Sequence, residues 1–271
     1  MRLRINDSSI KTKEKQGGKT FPGRYSEPIS DNLSALMKAV PEHDAVFGIA
    51  QDGDLDRAIF IDEKGSFILG DKSLALGVRY LTKQRRVCVA VTPVTTSNCF
   101  EDVVKENGGK VIYTAVGSPI VARRMVETNA IFGGEGNGGL IFPKLQYCRD
   151  SAMALAMFLE ILAKEKQPLS SLIAAIPNYE VDTSKMVCPN DLKQKVMDTI
   201  VLPVKDSKDV TGVDRTDGVK LFVKDGWVLM RPSGTEPIFR VYVQAKTKPA
   251  VEALARQYKG LVETVIQDLS H

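Results

Sequence analysis

Apolar positions along the chain change their spacing twice, and the changes separate three regions. In the first, Leu33, Leu36, Met37 and Val40 recur at helical spacing after Asp31, a candidate helix cap. Val46 to Ala50 is an apolar run that predicts a buried strand, and it runs straight into the polar segment Gln51-Asp52-Gly53-Asp54-Leu55-Asp56-Arg57. Ala58 to Ile61 is a second apolar run. The turn residues Glu63-Lys64-Gly65 then precede Ser66-Phe67-Ile68, a hairpin pattern.

From Asp71 the pattern alternates helix with strand. Leu74, Val78 and Leu81 line a helix, and Val87 to Val91 reads as a strand. A helix after Pro93, a strand at Val111 to Tyr113, a helix entered by Ser118-Pro119, a strand at Ala130 to Phe132 and a helix from Ser151 follow. Such repeated units predict an α/β fold with mostly parallel sheets covered on both faces, whose strand ends carry the ligand-binding loops.

Past Pro177 the order becomes strand, helix, several strands and a terminal helix, which is α+β. Val219 to Val223, Trp227 to Met230 and Phe239 to Ala245 are the clearest strands, with Lys224-Asp225-Gly226 as a hairpin turn. Val251, Leu254, Ala255, Tyr258, Leu261 and Val265 form the apolar stripe of the last helix. The division predicted is 1–72, 73–177 and 178–271.

With 43% hydrophobic and 26% charged residues, the 271-residue chain can bury several cores, which excludes the disordered, collagenous and disulfide-rich classes. Cys88, Cys99, Cys148 and Cys188 form no CxxC pair. They predict buried free thiols in a reducing cytosol rather than a zinc site or disulfides. The opening MRLRINDSSIKTKEKQGG has no apolar core of a secretory signal. The longest apolar stretch, Ala152 to Leu159, is far short of the roughly 20 residues that span a membrane. The expectation is a cytoplasmic protein with no membrane partner. A net charge of +4 is spread out, without the basic clusters and interleaved aromatics that track nucleic acid, so a small anionic ligand is expected instead.

Three segments carry chemistry. Asp52, Asp54 and Asp56 place carboxylates at alternate positions of one tight loop at a strand end. Unit charges about 4 Å apart repel by roughly 4 kcal/mol at an effective dielectric of 20, so such a cluster normally holds a cation, and oxygen ligands select Mg²⁺ or Ca²⁺. An EF-hand would use Asp52, Asp54, Asp56 and Glu63, but Arg57 stands where its sharp turn needs glycine. A haloacid-dehalogenase-type phosphatase also places Asp-x-Asp after a strand, yet Asp56 replaces its usual Thr or Val. A ligand-free Asp/Gly hairpin is the remaining alternative.

The second segment, Gly133-Gly134-Glu135-Gly136-Asn137-Gly138-Gly139, has five glycines that let backbone approach a ligand, with Glu135 and Asn137 able to read sugar hydroxyls. Alone, it reads equally well as a solvated connection. The third is Arg231-Pro232-Ser233-Gly234-Thr235-Glu236-Pro237 with Arg240. Its two guanidinium groups, two hydroxyls and the backbone N–H groups at Gly234 suit a phosphate. A Pro-bounded connection between strands is the rival reading.

In this order, FGIAQDGDLDR, FGGEGNGG and RPSGTEPIFRVYVQA resemble the α-D-phosphohexomutases, and FPGRYSEP at Phe21 to Pro28 is similar to the segment before that family's metal loop. The resemblance covers essentially the whole chain. It implies a partial second domain (1–72), a complete third domain (73–177), both three-layer α/β, and a C-terminal α+β phosphate-binding domain (178–271). It further implies Mg²⁺ on Asp52, Asp54 and Asp56, Arg57 beside the transferring phosphoryl group, and Glu135 with Asn137 at the sugar. Arg231, Ser233, Gly234, Thr235 and Arg240 would clamp the phosphate that is not reacting.

Substrates implied are a hexose monophosphate and a hexose bisphosphate, with glucosamine, mannose or glucose as the sugar. The family often has Ser and His where Asn137 and Gly139 stand, and the form here is similar to the phosphoglucosamine and phosphomannomutase branch. The Thr-Ala-Ser-His-Asn-Pro type loop that carries the family's phosphoserine is nowhere in the sequence, and Ser97, Ser118 and Ser233 sit in no such motif. The expectation is therefore part of a mutase that needs a complementing N-terminal segment and is inactive alone. The alternative is a natural module that holds Mg²⁺ and phosphosugar without turnover.

Overall fold

The computed structural model describes residues 25–83, 88–204, 209–224 and 226–270. A 3-10 turn at Ser30–Asn32 leads into α1 (Ser34–Glu42), followed by β1 (Phe47–Gln51) and β2 (Ala58–Asp62). These strands pair antiparallel from Phe47↔Asp62 to Gln51↔Ala58 and hold the aspartate loop at their tip. Every residue of β2 is buried, which accounts for its unbroken apolar run. Ile59 and Ile61 pack with Leu33 and Val40, while Phe60 stacks at 3.8 Å on Phe158.

Two local expectations change here. Asp31 lies inside the 3-10 turn and does not cap α1, which begins after Leu33. Val46 is exposed and β1 alternates half-buried with buried residues, so this strand is covered on one face only. The returning arm after Gly65 is reduced to a single bridge, Ile61↔Phe67, with Ile68 N donating to Phe60 O at 3.0 Å.

The alternating region comprises α2 (Gly70–Thr82), β3 (Val89–Pro93), α3 (Asn98–Glu106), β4 (Lys110–Thr114) and α4 (Ser118–Thr128). It continues with β5 (Phe132–Glu135), β6 (Gly139–Phe142), β7 (Gln146–Arg149), α5 (Ser151–Glu165) and α6 (Leu169–Ala174). The sheet order is β4-β3-β5-β6-β7; β3 and β5 are parallel, whereas β5, β6 and β7 form an antiparallel meander. Val121 and Met125 of α4 pack on Val91 and Ile141. The glycine-rich segment is thus the tip of a hairpin, since β5 starts at Phe132 and carries Gly133, Gly134 and Glu135 as strand residues. Expected Val87 lies outside the described residues, as do Phe21 to Arg24.

The last region has β8 (Glu180–Val187), α7 (Lys193–Val204), β9 (Val210–Asp214), β10 (Val219–Val223), β11 (Gly226–Pro232), β12 (Ile238–Ala245) and α8 (Lys248–Ser270). All pairs in the sheet β8-β12-β11-β10-β9 are antiparallel. One face buries Val228, Met230, Phe239, Val241 and Val243 against Val196 and Ile200 of α7 and Val251, Tyr258 and Val262 of α8. The turn residue Asp225 lies outside the described residues.

The described residues divide into two compact units: one up to Ile112 together with Gly117–Pro177, the other Tyr113–Val116 with the residues from Asn178 onward. All four cysteines are free. Cys88, Cys99 and Cys188 are buried as expected, but Cys148 is exposed because β7 is the edge strand of its sheet. Among the described residues, no helix is long and apolar enough to cross a membrane.

Candidate functional site

In the first unit, the β1–β2 hairpin turns through Asp52–Arg57 and brings one carboxylate oxygen each from Asp52, Asp54 and Asp56 within 4.8 Å of one another. Asp52 is buried and serves the loop itself. Its Oδ1 accepts from the backbone N–H groups of Asp56 (3.1 Å) and Arg57 (3.0 Å), and its Oδ2 accepts from Arg57 Nε. Burial alone would push the Asp52 carboxyl up, but these bonds and the Arg57 charge outweigh it and hold it below the ordinary carboxylate value. Arg57 also donates to Glu27 at 2.9 Å.

Asp56 is the opposite case. Burial pushes its carboxyl up, the charges of Asp52 and Asp54 add to the rise, and the pull of Arg149 does not cancel it. Asp56 Oδ1 is buried with no hydrogen-bond donor, while Asp54 is exposed. A buried carboxylate oxygen without a donor, beside two further carboxylates, is a donor set that fits a hard divalent cation.

The loop backbone is held from α5. Gln51 Nε2 donates to Ser151 Oγ (2.6 Å), and Ser151 Oγ donates to Leu55 O (2.6 Å). Leu55 needs such support, because it adopts the left-handed region at φ 62, which is costly for a branched side chain.

The sugar-reading candidates lie on the β5–β6 hairpin. Glu135 is buried at the end of β5, and exposed Asn137 uses its Oδ1 to accept from Gly139 N at 3.1 Å, shaping the turn. Ala58 N donates to Gly138 O at 3.0 Å. Gly138 has φ 94, and a Cβ there would lie 2.6 Å from Ala58 O. The freedom expected to admit a ligand is used here to seat the hairpin tip on the start of β2.

Sequence reasoning missed Arg149, the last residue of β7. Its Nε and Nη2 donate to Asp56 Oδ2 at 3.0 and 2.5 Å, and its Nη1 donates to Glu135 Oε2 at 3.0 Å. One guanidinium thus joins the aspartate loop to the glycine hairpin. A signal did exist next to it: Asp150 caps α5 by accepting from Met153 N at 2.8 Å, which fixes Arg149 one residue before the cap.

In the second unit, Arg231 on β11 and Arg240 on β12 are register partners across an antiparallel pair, and Arg240 is in turn the partner of Lys185 on β8. Like charges directly opposite on a sheet repel, so this row favours an anion. Arg231 Nε lies 3.0 Å from Asp217 Oδ2 without the alignment of a hydrogen bond, and Arg240 Nη2 pairs with Glu236. Buried Ser233 accepts from Thr235 N (3.4 Å) and Glu236 N (3.2 Å), so its hydroxyl shapes the turn. Lys193 Nζ donates to Ser233 O and Glu236 O, both at 2.6 Å, a support that the sequence did not reveal. Gly234 and Thr235 are exposed at the loop tip.

Three models of one family match this chain in order. They are phosphoglucomutase/phosphomannomutase α/β/α domain II at residues 3–65, α/β/α domain III at 69–179 and the C-terminal domain at 191–260. The chain belongs to the phosphoglucomutase/phosphomannomutase family.

Within this family, it is 44% identical over 243 residues to a phosphoglucomutase/phosphomannomutase of Thermococcus kodakarensis, covering 89% of this chain and 51% of the relative. It is 38% identical over 249 residues to a probable phosphoglucosamine mutase of Methanopyrus kandleri, covering 92% and 55%. The chain therefore spans about half the length of the curated relatives it matches. A solved family protein from Burkholderia thailandensis shares the fold at a TM-score of 0.78 and 24% identity, over 89% of this chain and 51% of that one.

Proposed function

We propose that these residues are the metal-, sugar- and phosphate-binding portion of a phosphohexomutase that interconverts a hexose 6-phosphate and a hexose 1-phosphate. The observation that carries the reading is the clustering of the Asp52, Asp54 and Asp56 carboxylates together with the guanidinium of Arg149 that joins Asp56 to Glu135. In this reading Asp52, Asp54 and Asp56 hold Mg²⁺, which when bound neutralises charge on the phosphoryl oxygens. Arg57 steers the transferring phosphoryl group, Glu135 and Asn137 orient ring hydroxyls, and Arg231, Ser233, Gly234, Thr235 and Arg240 anchor the other phosphate. Phosphoryl transfer needs positioning and charge neutralisation more than covalent help, and these residues supply both.

The serine that takes and returns the phosphoryl group is assigned to a complementing segment, since the 271 residues contain no loop of the Thr-Ala-Ser-His-Asn-Pro type. Names of the relatives support glucosamine or mannose phosphates as substrates alongside glucose phosphates. The three-part division at 1–72, 73–177 and 178–271 follows the same reading. The absent serine loop also favours a second reading, a module that holds Mg²⁺ and a hexose phosphate without converting it.

Phosphorus NMR of glucosamine, mannose and glucose 6-phosphates with the chain, Mg²⁺ and a hexose bisphosphate separates the two. The chain alone should convert none of them. Adding a serine-loop segment, fused or separate, should restore turnover, and changing its serine to alanine should remove it. No restoration would favour the non-converting module, and conversion by the chain alone would overturn the assignment of the serine elsewhere.

A further inference from the structure

We propose that Arg149 is a positioning residue that links the metal loop to the sugar hairpin, and that it does so through the space left by Gly139. The inference rests on the mutase reading for what the two loops bind, but its structural basis stands apart from that reading. Arg149 is register partner of Ile141 on β6, so its side chain runs back along the neighbouring strand toward the hairpin tip. A Cβ on Gly139 would lie 2.2 Å from Arg149 Cδ, in the middle of the side chain rather than at its free end. Any other residue at 139 would force the guanidinium away from both carboxylates. The stem of Arg149 fills the volume that a side chain at 139 would take.

The charges show what the link does. Asp56 Oδ2 accepts two N–H groups of Arg149, which turns Oδ1, buried and without a donor, toward use as a ligand. The third N–H holds Glu135, whose side chain is 8% exposed, while the Asp56 and Arg149 side chains are each 19% exposed. At this burial the pair is poorly screened by water, so a change in charge at Asp56 is felt at Glu135. A cation entering the loop draws on Asp56, and the share of Arg149 left to Glu135 rises. The arrangement parallels the carboxylate and imidazole partners behind many metal ligands, whose loss weakens metal affinity by about 10-fold to 100-fold. Lysine cannot substitute, because one ammonium does not reproduce a planar fork that meets two carboxylates at once.

The test uses the 271-residue chain with Arg149→Lys, Arg149→Met and Gly139→Ala. Gly139→Ala keeps the charge and moves the group, which separates placement from simple electrostatics. Mg²⁺ alone is titrated while thermal unfolding is followed, and hydrogen exchange of residues 52–57 and 133–139 is measured with and without Mg²⁺.

In the wild type, Mg²⁺ should stabilise the fold and slow exchange in both segments. In all three variants, the Mg²⁺ midpoint should rise about tenfold and the response at 133–139 should vanish. Without metal, the variants should exchange faster at 52–57 and 133–139 together, with residues 180–187 unchanged. Equal or tighter Mg²⁺ binding in the variants, or loosening of one segment only, overturns the link. A wild type indifferent to Mg²⁺ whose variants still loosen both segments keeps Arg149 as the link and overturns the metal reading instead.

Discussion

Arg231 and Arg240 face each other across β11 and β12 as register partners, with Asp217 and Glu236 as their counter-charges. Paired cations with replaceable partners form an exchangeable anion site. Phosphate or a hexose monophosphate should therefore stabilise the wild type, by about 2.7 kcal/mol at one hundred times its Kd. Arg231→Ala or Arg240→Ala should weaken hexose monophosphate binding by at least about 1.5 kcal/mol, the lower figure for a charged hydrogen bond. Calorimetry decides this, and unchanged affinity in both variants would remove the phosphate assignment.

The three aspartates should respond differently to mutation. Asp52 satisfies two backbone N–H groups and the Arg57 guanidinium, so Asp52→Ala should destabilise the fold by about 2 to 3 kcal/mol even without metal. Asp54 is exposed, and Asp54→Asn should stay within about 0.5 kcal/mol. The double variant Asp54→Asn with Asp56→Asn should abolish Mg²⁺-dependent stabilisation. Chemical denaturation with and without Mg²⁺ reads all three, and an undiminished Mg²⁺ effect in the double variant would place the metal elsewhere.

Glu63 ends the hairpin and accepts from Ser170 N at 3.1 Å and from Ser170 Oγ. Burial would raise its carboxyl, but the Ser170 bonds outweigh that and hold it below the ordinary value. A lowered folded value means stability that is present above the unfolded pKa of about 4.3 and lost as pH falls through the folded value. Wild type should therefore be more stable than Glu63→Gln at pH 7, with the gap closing on acidification below about pH 4.3. A gap independent of pH would show that Glu63 acts by packing alone.

Thiol chemistry should single out Cys148. Burial pushes the Cys88 and Cys188 thiols up and lifts Cys99 to about 12, with the Asp71 charge adding to the last. A thiol-reactive reagent should modify Cys148 in the native chain and all four cysteines in denaturant, as mass spectrometry of the labelled peptides would show. Rapid native labelling of Cys99 would contradict its buried position on α3.

What the sequence revealed and what it hid follow from the range of each interaction. The aspartate loop and the Arg231 loop are each contiguous, so their donor types and turn residues can be read from a short window. The partner of Asp56 lies 93 positions away, on a four-residue edge strand whose first three residues are exposed, with no alternation. No local period marks such a strand. A charge count would have helped: Asp52, Asp54, Asp56 and Glu135 outnumber Arg57, so a compact arrangement requires another cation nearby. The cap at Asp31 failed for a related reason. Asn32 Nδ2 donates to Glu27 O at 2.7 Å in the turn that takes up this segment, and propensity alone does not register that competition.

The bond from Ala58 N to Gly138 O makes the tip of one hairpin a continuation of the strand that leaves the other. An insertion or deletion between Glu135 and Gly139 would shift that register and carry the disturbance into the aspartate loop. The number of residues in the β5–β6 hairpin is thus fixed by Ala58, a residue that lies outside it, and not only by the turn's own sequence.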